Sequence, residues 1–421
     1  MQVNTSRPPL KSLDAALAEL LAHAQPLKGI EEVNTFDADG RVLASDVLSP
    51  LQVPPLDNSA MDGYAVRCAD TATPNAVLQV TQRIPAGSVG TLLAAGQCAR
   101  IFTGAPIPPG SDAVVMQEDC MVLDPSDHPI PSIQVRSSPT AGQWIRRAGE
   151  DVTQGARVLS RGQRLSPASL GLAASMGLST LSVAGRPKVA LFSTGDELVM
   201  PGDITPEHMP VGAIYNSNRF FLRALLNRLG CDVTDYGILP DQREATLNAL
   251  RDAAAHHDLI LTSGGVSVGE EDHIKPALQQ LGQLDLWQIA IKPGKPFAYG
   301  KIHRTSDSDC HFCGLPGNPV SSFMTFLLLV RPFLLRLQGC IKLAPQTLPL
   351  VAHFNWPRAD KRQEFLRVQL NGLGGLELFP NQSSGVLTSA VWGDGVVNNP
   401  AGQTIAYGDM VEFISFANWL N

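Results

Sequence analysis

Basic residues are in short supply: 32 Lys and Arg stand against 39 Asp and Glu, a formal net charge of -7. With a pI near 5.7 the chain has no basic surface to displace counterions from phosphate, which excludes broad nucleic-acid binding. Any anionic ligand must then be met by a local group of cations. Long apolar runs are also missing. The N-terminal stretch MQVNTSRPPLKSLDAALAELLAHA alternates charge with apolar residues and lacks the continuous apolar centre of a signal peptide. The most apolar later run, residues 323–337, is interrupted by Arg331, Pro332 and Arg336 and reads as a buried helix too short to span a bilayer. A cytoplasmic location without membrane attachment is expected. Cysteines are few, seven in all, odd in number and scattered from Cys68 to Cys340, so reduced thiols rather than disulfides are expected. Cys310 and Cys313 have C-x-x-C spacing but no second pair, and they read as part of a strand rather than as a zinc or redox site. Charge blocks and low-complexity tracts are absent, and 44% apolar content suits a chain folded throughout.

What is present divides into several units, because 421 residues exceed what one core ordinarily serves. Residues 13–24 place Leu13, Ala16, Leu20 and Leu21 on one helical stripe after Ser12 as a cap. From about residue 36 to 161 the pattern changes to short β-type runs separated by Gly, Pro, Asn and Asp turns. Residues 167–177 read as a short helix, and the GRP tripeptide at 185–187 marks a break, giving an N-terminal region of residues 1–185. Apolar strands then alternate with amphipathic helices over residues 186–340, the pattern of a doubly wound parallel sheet whose ligand loops lie at the carboxyl ends of strands. Short strands with turn signals NGLGG, WGDG, NNPAG and YGD fill residues 345–421 and suggest a small β-barrel or sandwich. The fold class expected is multidomain α/β plus β: an irregular β-rich start, a central doubly wound α/β domain and a small C-terminal β-barrel.

The strongest local signal is DLILTSGGVSVGEEDHIKPAL, a strand running into a Gly-rich loop and then a helix. Such a loop offers backbone N–H groups to an anion, although Gly264, Gly265 and Gly269 also suit a plain tight turn. It is not a Walker loop, since Glu270 and Glu271 stand where Lys and Ser/Thr are needed. Gly265-Val-Ser267-Val-Gly269 matches a nucleophile elbow, which keeps a serine hydrolase as an alternative, but no oxyanion segment or triad setting accompanies it. Carboxylates follow several strands: Asp196 and Glu197 in STGDEL, Asp241 in LPDQ and Asp272 after the Gly loop. Gathered round one crevice they would be hard oxygen ligands of the kind Mg²⁺ takes, though Asp241 alone reads as a helix cap. Lys292-Pro-Gly-Lys295-Pro is a stiff turn carrying two cations, and Gly314-Leu-Pro316-Gly-Asn-Pro319 is a second stiff turn before a helix. In the first half, Asp57, Asn58, Asp62, Thr103, the Arg146–Arg147 pair and Asp151 lie in loop-like segments that spacing alone does not make a site.

Taken together, PPLDNSAMDGYAV, TGAPIPPGSDAVV, IRRAGED, FSTGDEL, TSGGVSVGEED, IKPGKPF and GLPGNP resemble, in order and over nearly the whole chain, the blocks of the molybdopterin molybdenumtransferases. The resemblance implies an elongated homodimer of four-domain subunits, with two intertwined subdomains within residues 1–185 forming the dimer contact and a molybdopterin-binding α/β domain at 186–340. It implies a reaction of adenylylated molybdopterin with molybdate, assisted by Mg²⁺, that releases AMP and the metallated cofactor. Asp62, Thr103, Arg146 and Asp151 of one subunit would face Glu197, Asp241, Asp272, Lys292 and Lys295 of the other. Glu197, Asp241 and Asp272 would hold Mg²⁺, Lys292, Lys295 and Arg146 would neutralise molybdate and phosphate, and Asp62 and Asp151 would position substrate or manage protons. Ser263, Gly264, Gly265, Ser267, Pro316 and Pro319 would line the ligand site, joined by Ser383 and Ser384 from the C-terminal domain. No adenylyltransferase domain precedes the first helix, so a separate molybdopterin adenylyltransferase is the expected partner. Apo-molybdoenzymes or cofactor-maturation proteins would accept the product. A non-catalytic pterin-binding scaffold is the remaining alternative.

Overall fold

The computed structural model describes residues 10–239, 242–265, 273–304 and 308–420; Asp241, Ser267 and Asp272 therefore lie outside the described residues. The opening helix Leu13–His23 begins where the Ser12 hydroxyl accepts the N–H of Ala15, and it buries Leu13, Ala16 and Leu20. Those side chains do not serve the β-rich region that follows them in sequence. They share a core with Val189, Leu191, Leu259 and Leu261 of the α/β sheet and with Phe333 and Leu337 of its longest helix.

Strands Ile30–Asn34 and Thr180–Ala184 pair antiparallel and, with helix Pro167–Ser175, enclose a core of Leu43, Val152, Leu159, Ala173 and Val183. The chain leaves this unit at Val53 and returns at Val152, two residues that bridge each other. Between them lies a six-stranded sheet in the order Ala113–Met116, Gly63–Val66, Gln97–Ile101, Ala76–Ile84, Ser132–Val135, Cys120–Val122. Alternation puts Val115 and Leu78 in one core and Val114 and Ile84 in another, so both faces of the sheet are covered.

The central sheet runs Asp232–Leu239, Lys188–Thr194, Leu259–Ser263, Cys310–Leu315, Pro296–Ile302, Gly282–Gln288. The first four strands are parallel, as the alternation of strand and helix implies, but Pro296–Ile302 runs antiparallel to both its neighbours, Cys310–Leu315 and Gly282–Gln288. No helix separates Gly282–Gln288, Pro296–Ile302 and Cys310–Leu315, and without a crossover consecutive strands can only meander. Leu259–Ser263 is buried at every position, which is why Leu259, Ile260 and Leu261 run apolar without alternation before Thr262 and Ser263. Cys310 and Cys313 sit inside a strand, free and buried, and burial pushes the Cys310 thiol up to about 12, so neither is poised for redox or metal chemistry.

The apolar run continues upstream into a helix spanning Pro319–Leu337, of which Phe326–Val330 is a π-helical segment. At 19 residues it is long and apolar enough to cross a membrane, so length does not exclude a span as the shorter run 323–337 implied. Packing decides instead: 89% of its apolar window is buried inside the protein. In the C-terminal unit, strands Gln363–Leu370, Gly395–Asn399, Met410–Ser415 and Leu348–Val351 pair in succession, and Leu376–Leu378 pairs with the first of these. A bridge from Ala352 to Leu376 closes the ring, so the unit is a small barrel around Leu366, Val368, Val397 and Phe413. Ile291–Lys292 of the α/β unit adds in parallel to the barrel's edge.

Candidate functional site

A cavity of about 680 Å³ opens at the carboxyl ends of Lys188–Thr194, Leu259–Ser263 and Cys310–Leu315, where a largely parallel sheet presents loops instead of side-chain layers. Ser263, Gly264 and Gly265 line it, as do Pro316 and Pro319 of the stiff turn. The loop needs its glycines. Gly264 has φ +94° and a Cβ there would stand 2.7 Å from the Thr194 carbonyl oxygen; Gly265 has φ +67° and a Cβ would meet Ile274 at 2.8 Å.

Sequence reasoning passed over two amides. Asn218, at the start of helix Asn218–Arg228, donates through Nδ2 to the Ser263 hydroxyl at 2.8 Å and to the Gly317 carbonyl at 2.7 Å, tying the Gly loop to the Pro turn. Among the described residues its Oδ1 and the Nδ2 of Asn216 are buried without a hydrogen-bond partner, and both residues line the cavity. A buried acceptor and donor left open beside a cavity are groups that a polar ligand can satisfy. The signal was available: YNSN at 215–218 is a polar run between a strand and an amphipathic helix.

Of the expected acids, Glu197 lines the cavity with Asp196, and both are exposed. Asp241 and Asp272 lie outside the described residues, and among the described residues no three His, Cys, Asp or Glu converge on a point that could hold a metal ion. The two carboxylates at the rim are hard oxygen donors, a chemistry that fits Mg²⁺. The two lysines of the KPGK turn differ. Lys292 is spent on an ion pair with Glu364 at 2.9 Å and lies 3.6 Å from Asp360, both in the barrel, so it is not a cation at the cavity's disposal. Lys295 is half-buried, forms no ion pair among the described residues, and precedes Pro296, which lines the cavity. Ser384 reaches the helix start that follows the cavity-lining Pro319: its carbonyl accepts the Val320 N–H at 2.9 Å and so satisfies an orphan donor in the first turn of the core helix. Ser383, its neighbour, is exposed.

The N-terminal candidates form a knot of their own. Asp62 Oδ1 accepts from the Thr103 backbone N–H and hydroxyl, each at 2.8 Å, and these bonds, with Arg100 nearby, hold its carboxyl below the usual range. Arg146 pairs with Asn58 in a two-residue ladder, while Asp57 binds the Arg147 guanidinium at 2.6 Å and the Ala148 N–H at 2.8 Å. Asp151 is joined through its backbone to Val53. Asp62, Thr103, Arg146 and Asp151 are all exposed, and none lines the α/β cavity of its own chain.

A glycine-floored crevice at the carboxyl ends of parallel strands, with two acids in its wall, is the layout of an α/β enzyme that holds its ligand in strand-end loops. Three family descriptions match in sequence order: the MoeA N-terminal region (domain I and II) over residues 11–177, a probable molybdopterin binding domain over 190–336, and the MoeA C-terminal region (domain IV) over 349–416. A molybdopterin molybdenumtransferase of Haemophilus influenzae is 41% identical across 85% of this chain and 85% of its own. That of Synechococcus elongatus is 37% identical across 95% of this chain and 98% of its own. A crystal structure of the molybdopterin biosynthesis moeA protein from Pyrococcus horikoshii has a TM-score of 0.81 at 27% identity, covering 97% of this chain and 100% of that one. The chain belongs to the molybdopterin molybdenumtransferase family. These relatives lend no support to a serine hydrolase or to a non-catalytic scaffold.

Proposed function

We propose that the protein inserts molybdate into adenylylated molybdopterin and releases AMP. Family membership makes it a transferase of molybdenum cofactor biosynthesis; the carrying observation for the chemistry is the cavity itself, where Gly264 and Gly265 are forced into conformations only glycine adopts easily, beside open amides of Asn216 and Asn218. The glycine loop lets phosphate oxygens approach the backbone closely, although the Gly264 N–H itself donates to the Leu315 carbonyl at 3.0 Å, and the amides orient the ligand's polar edge. A helix dipole supplies only about 0.3–1 kcal/mol to an exposed anion, so full cations are needed, and within the same chain Lys295, next to the cavity-lining Pro296, supplies one. Ser263, Ser267, Pro316, Pro319, Ser383 and Ser384 complete the wall. Glu197, Asp241 and Asp272 would hold Mg²⁺, which when bound neutralises the phosphoanhydride and polarises its oxygens.

The site is shared between two copies of the chain. The reading rests on the exposure of Asp62, Thr103, Arg146 and Asp151 in one knot and their absence from the cavity of their own chain. From the partner subunit, Arg146 neutralises the incoming dianion, and the carboxylates of Asp62 and Asp151 position substrate or manage protons. We divide the chain functionally into residues 1–185 for dimer formation, 186–340 for catalysis and 345–421 as the barrel. A molybdopterin adenylyltransferase supplies the substrate, apo-molybdoenzymes or maturation proteins take the product, and the setting is the cytoplasm.

The test is incubation of purified protein with adenylylated molybdopterin, Mg²⁺ and low micromolar molybdate, following AMP release and reconstitution of an apo-molybdoenzyme. Molybdate-dependent AMP release with reconstitution is expected; intact substrate overturns the reading, and tight pterin binding without turnover replaces it with the scaffold.

A further inference from the structure

A second cavity, of about 390 Å³, lies where three parts of the chain meet: residues 160–164 of the N-terminal unit, the core helix at Arg331 and Leu335, and residues 340–346 leading into the barrel. Among the described residues its walls carry Arg161, Arg164, Arg331 and Lys342 and no Asp or Glu. In a chain with a net charge of -7, an acid-free cavity with four cations is a departure from the rest of the surface.

Arg331 is the singular member. It is only 6% exposed, and it spends Nε on the Trp419 carbonyl at 2.8 Å and Nη1 on the Leu343 carbonyl at 2.9 Å. No carboxylate pairs with it among the described residues. Burial and the neighbouring Arg164 guanidinium both lower its pKa, to about 10, so the protein holds two like charges together at a cost. Arg164 is itself anchored, through Nε to the Gly40 carbonyl at 3.1 Å and through its terminal nitrogen to the Arg228 carbonyl at 2.7 Å. Carbonyls satisfy donors but do not cancel charge. Buried charges in proteins are ordinarily paired, and the pair missing here is an anion. Arg161 is exposed, as is Lys342, and is partly balanced by Asp46, which accepts its backbone N–H at 2.7 Å.

The walls are also fixed against each other. Ile341 donates its N–H to the Gly162 carbonyl at 3.1 Å, and a Cβ on Gly162 would stand 2.6 Å from the Gly339 carbonyl oxygen. The cavity is therefore a built junction between segments, not a gap between loosely packed loops.

We propose that this junction binds the phosphate dianion of a small phosphorylated molecule through Arg164, Arg331 and Lys342. A planar carboxylate is saturated by one guanidinium fork, whereas cations reaching in from three separate segments suit a tetrahedral anion with oxygens in several directions. The volume falls at the lower end of small-molecule pockets, so there is room for more than the bare ion. Occupation cross-links the N-terminal unit, the α/β core and the barrel approach, which makes the ligand a stabiliser of the interdomain arrangement.

The experiment is calorimetric titration of the full chain with inorganic phosphate at constant ionic strength, with melting temperature recorded in parallel. The variants are the double substitution Arg164→Gln/Lys342→Gln, the exposed single substitution Lys342→Glu should the double fail to fold, and Lys295→Gln to account for phosphate entering the α/β cavity. The expected result is saturable binding with a rise in melting temperature, weakened at least tenfold in the junction variants and retained in Lys295→Gln. Unchanged affinity in the folded junction variants, loss only in Lys295→Gln, or no saturable binding at all overturns the proposal. None of these readouts depends on turnover.

Discussion

Lys292 Nζ lies 2.9 Å from Oε1 of Glu364, whose side chain is 1% exposed, and this ion pair fastens the KPGK turn of the α/β unit to the barrel. The other carboxylate oxygen of Glu364 accepts the Trp356 indole N–H at 2.7 Å. The pairing of Ile291–Lys292 with Gln363–Leu370 sets the register that makes the contact possible. Two lysines that look equivalent in sequence thus have separate tasks, one in the interdomain joint and one beside the cavity.

Substitution separates them. Lys295→Gln removes a charge-assisted contact worth about 1.5–3 kcal/mol, which raises the KM for molybdate roughly tenfold to hundredfold with little change in unfolding free energy. Lys292→Gln leaves Glu364 buried and unpaired. A fully buried pair costs about 3–5 kcal/mol to break, and because Lys292 is 38% exposed a loss of about 2 kcal/mol in urea unfolding is expected. Should Lys292→Gln unfold like the parent and carry the larger KM effect, the assignment of roles is reversed.

The proposal that two subunits share the site has a sharper test than loss of activity. Asp62→Ala and Glu197→Ala should each abolish metal insertion when made alone. Subunits of the two variants mixed in equal amounts and allowed to exchange form heterodimers in half the population, each with one intact site, so about a quarter of the parental activity returns. A mixture as inactive as its components places Asp62 and Glu197 in one chain's site or outside the site altogether.

Much of the architecture was legible because it rests on local patterns. Ser12 before the opening stripe and the Ser166–Pro167 start of the second helix are caps that sequence displays directly. Strand direction was not legible past residue 281, since a meander and a crossover use the same apolar strands and differ only in the missing helix. Nor was the destination of the opening helix: Leu13 and Leu20 are apolar in sequence whichever core they join. In the site, Gly264 and Pro316 announced themselves by residue type, whereas the partner of Lys292 sits 72 residues away and only tertiary structure supplies it.

Asn218 should behave as a positioning residue. Its amide holds both Ser263 and Gly317, so Asn218→Ala leaves a hydroxyl and a carbonyl without that donor and costs about 1–3 kcal/mol in unfolding free energy. The two walls of the cavity also lose their tie, and the KM for adenylylated molybdopterin rises while release of AMP from bound substrate slows less. A variant destabilised in urea with an unaltered KM would confine Asn218 to a structural role.

The pH dependence of stability should carry the signature of His311. The ring is half-buried against Tyr299 and Phe333, and Tyr299 Oη lies 3.0 Å from its Nδ1. Burial holds its pKa down to about 4, with Lys301, His23 and Arg304 adding to that and Asp309 opposing it. Burial raises the Tyr299 pKa, so the hydroxyl stays protonated and donates to a bare Nδ1. The folded state therefore binds the proton more weakly than the unfolded chain. The stabilisation is complete above pH 6.5 and is lost as pH falls from there toward 4, amounting to about 3 kcal/mol across the window. His23, stacked on Tyr299 and also lowered chiefly by burial, adds in the same direction. Urea unfolding at a series of pH values should show the parental free energy declining through that window and His311→Phe declining much less, with the remaining slope due to His23 and the carboxylates. Parallel curves for the two proteins would mean that His311 takes up its proton without cost, and that the Tyr299 contact does not hold the neutral ring.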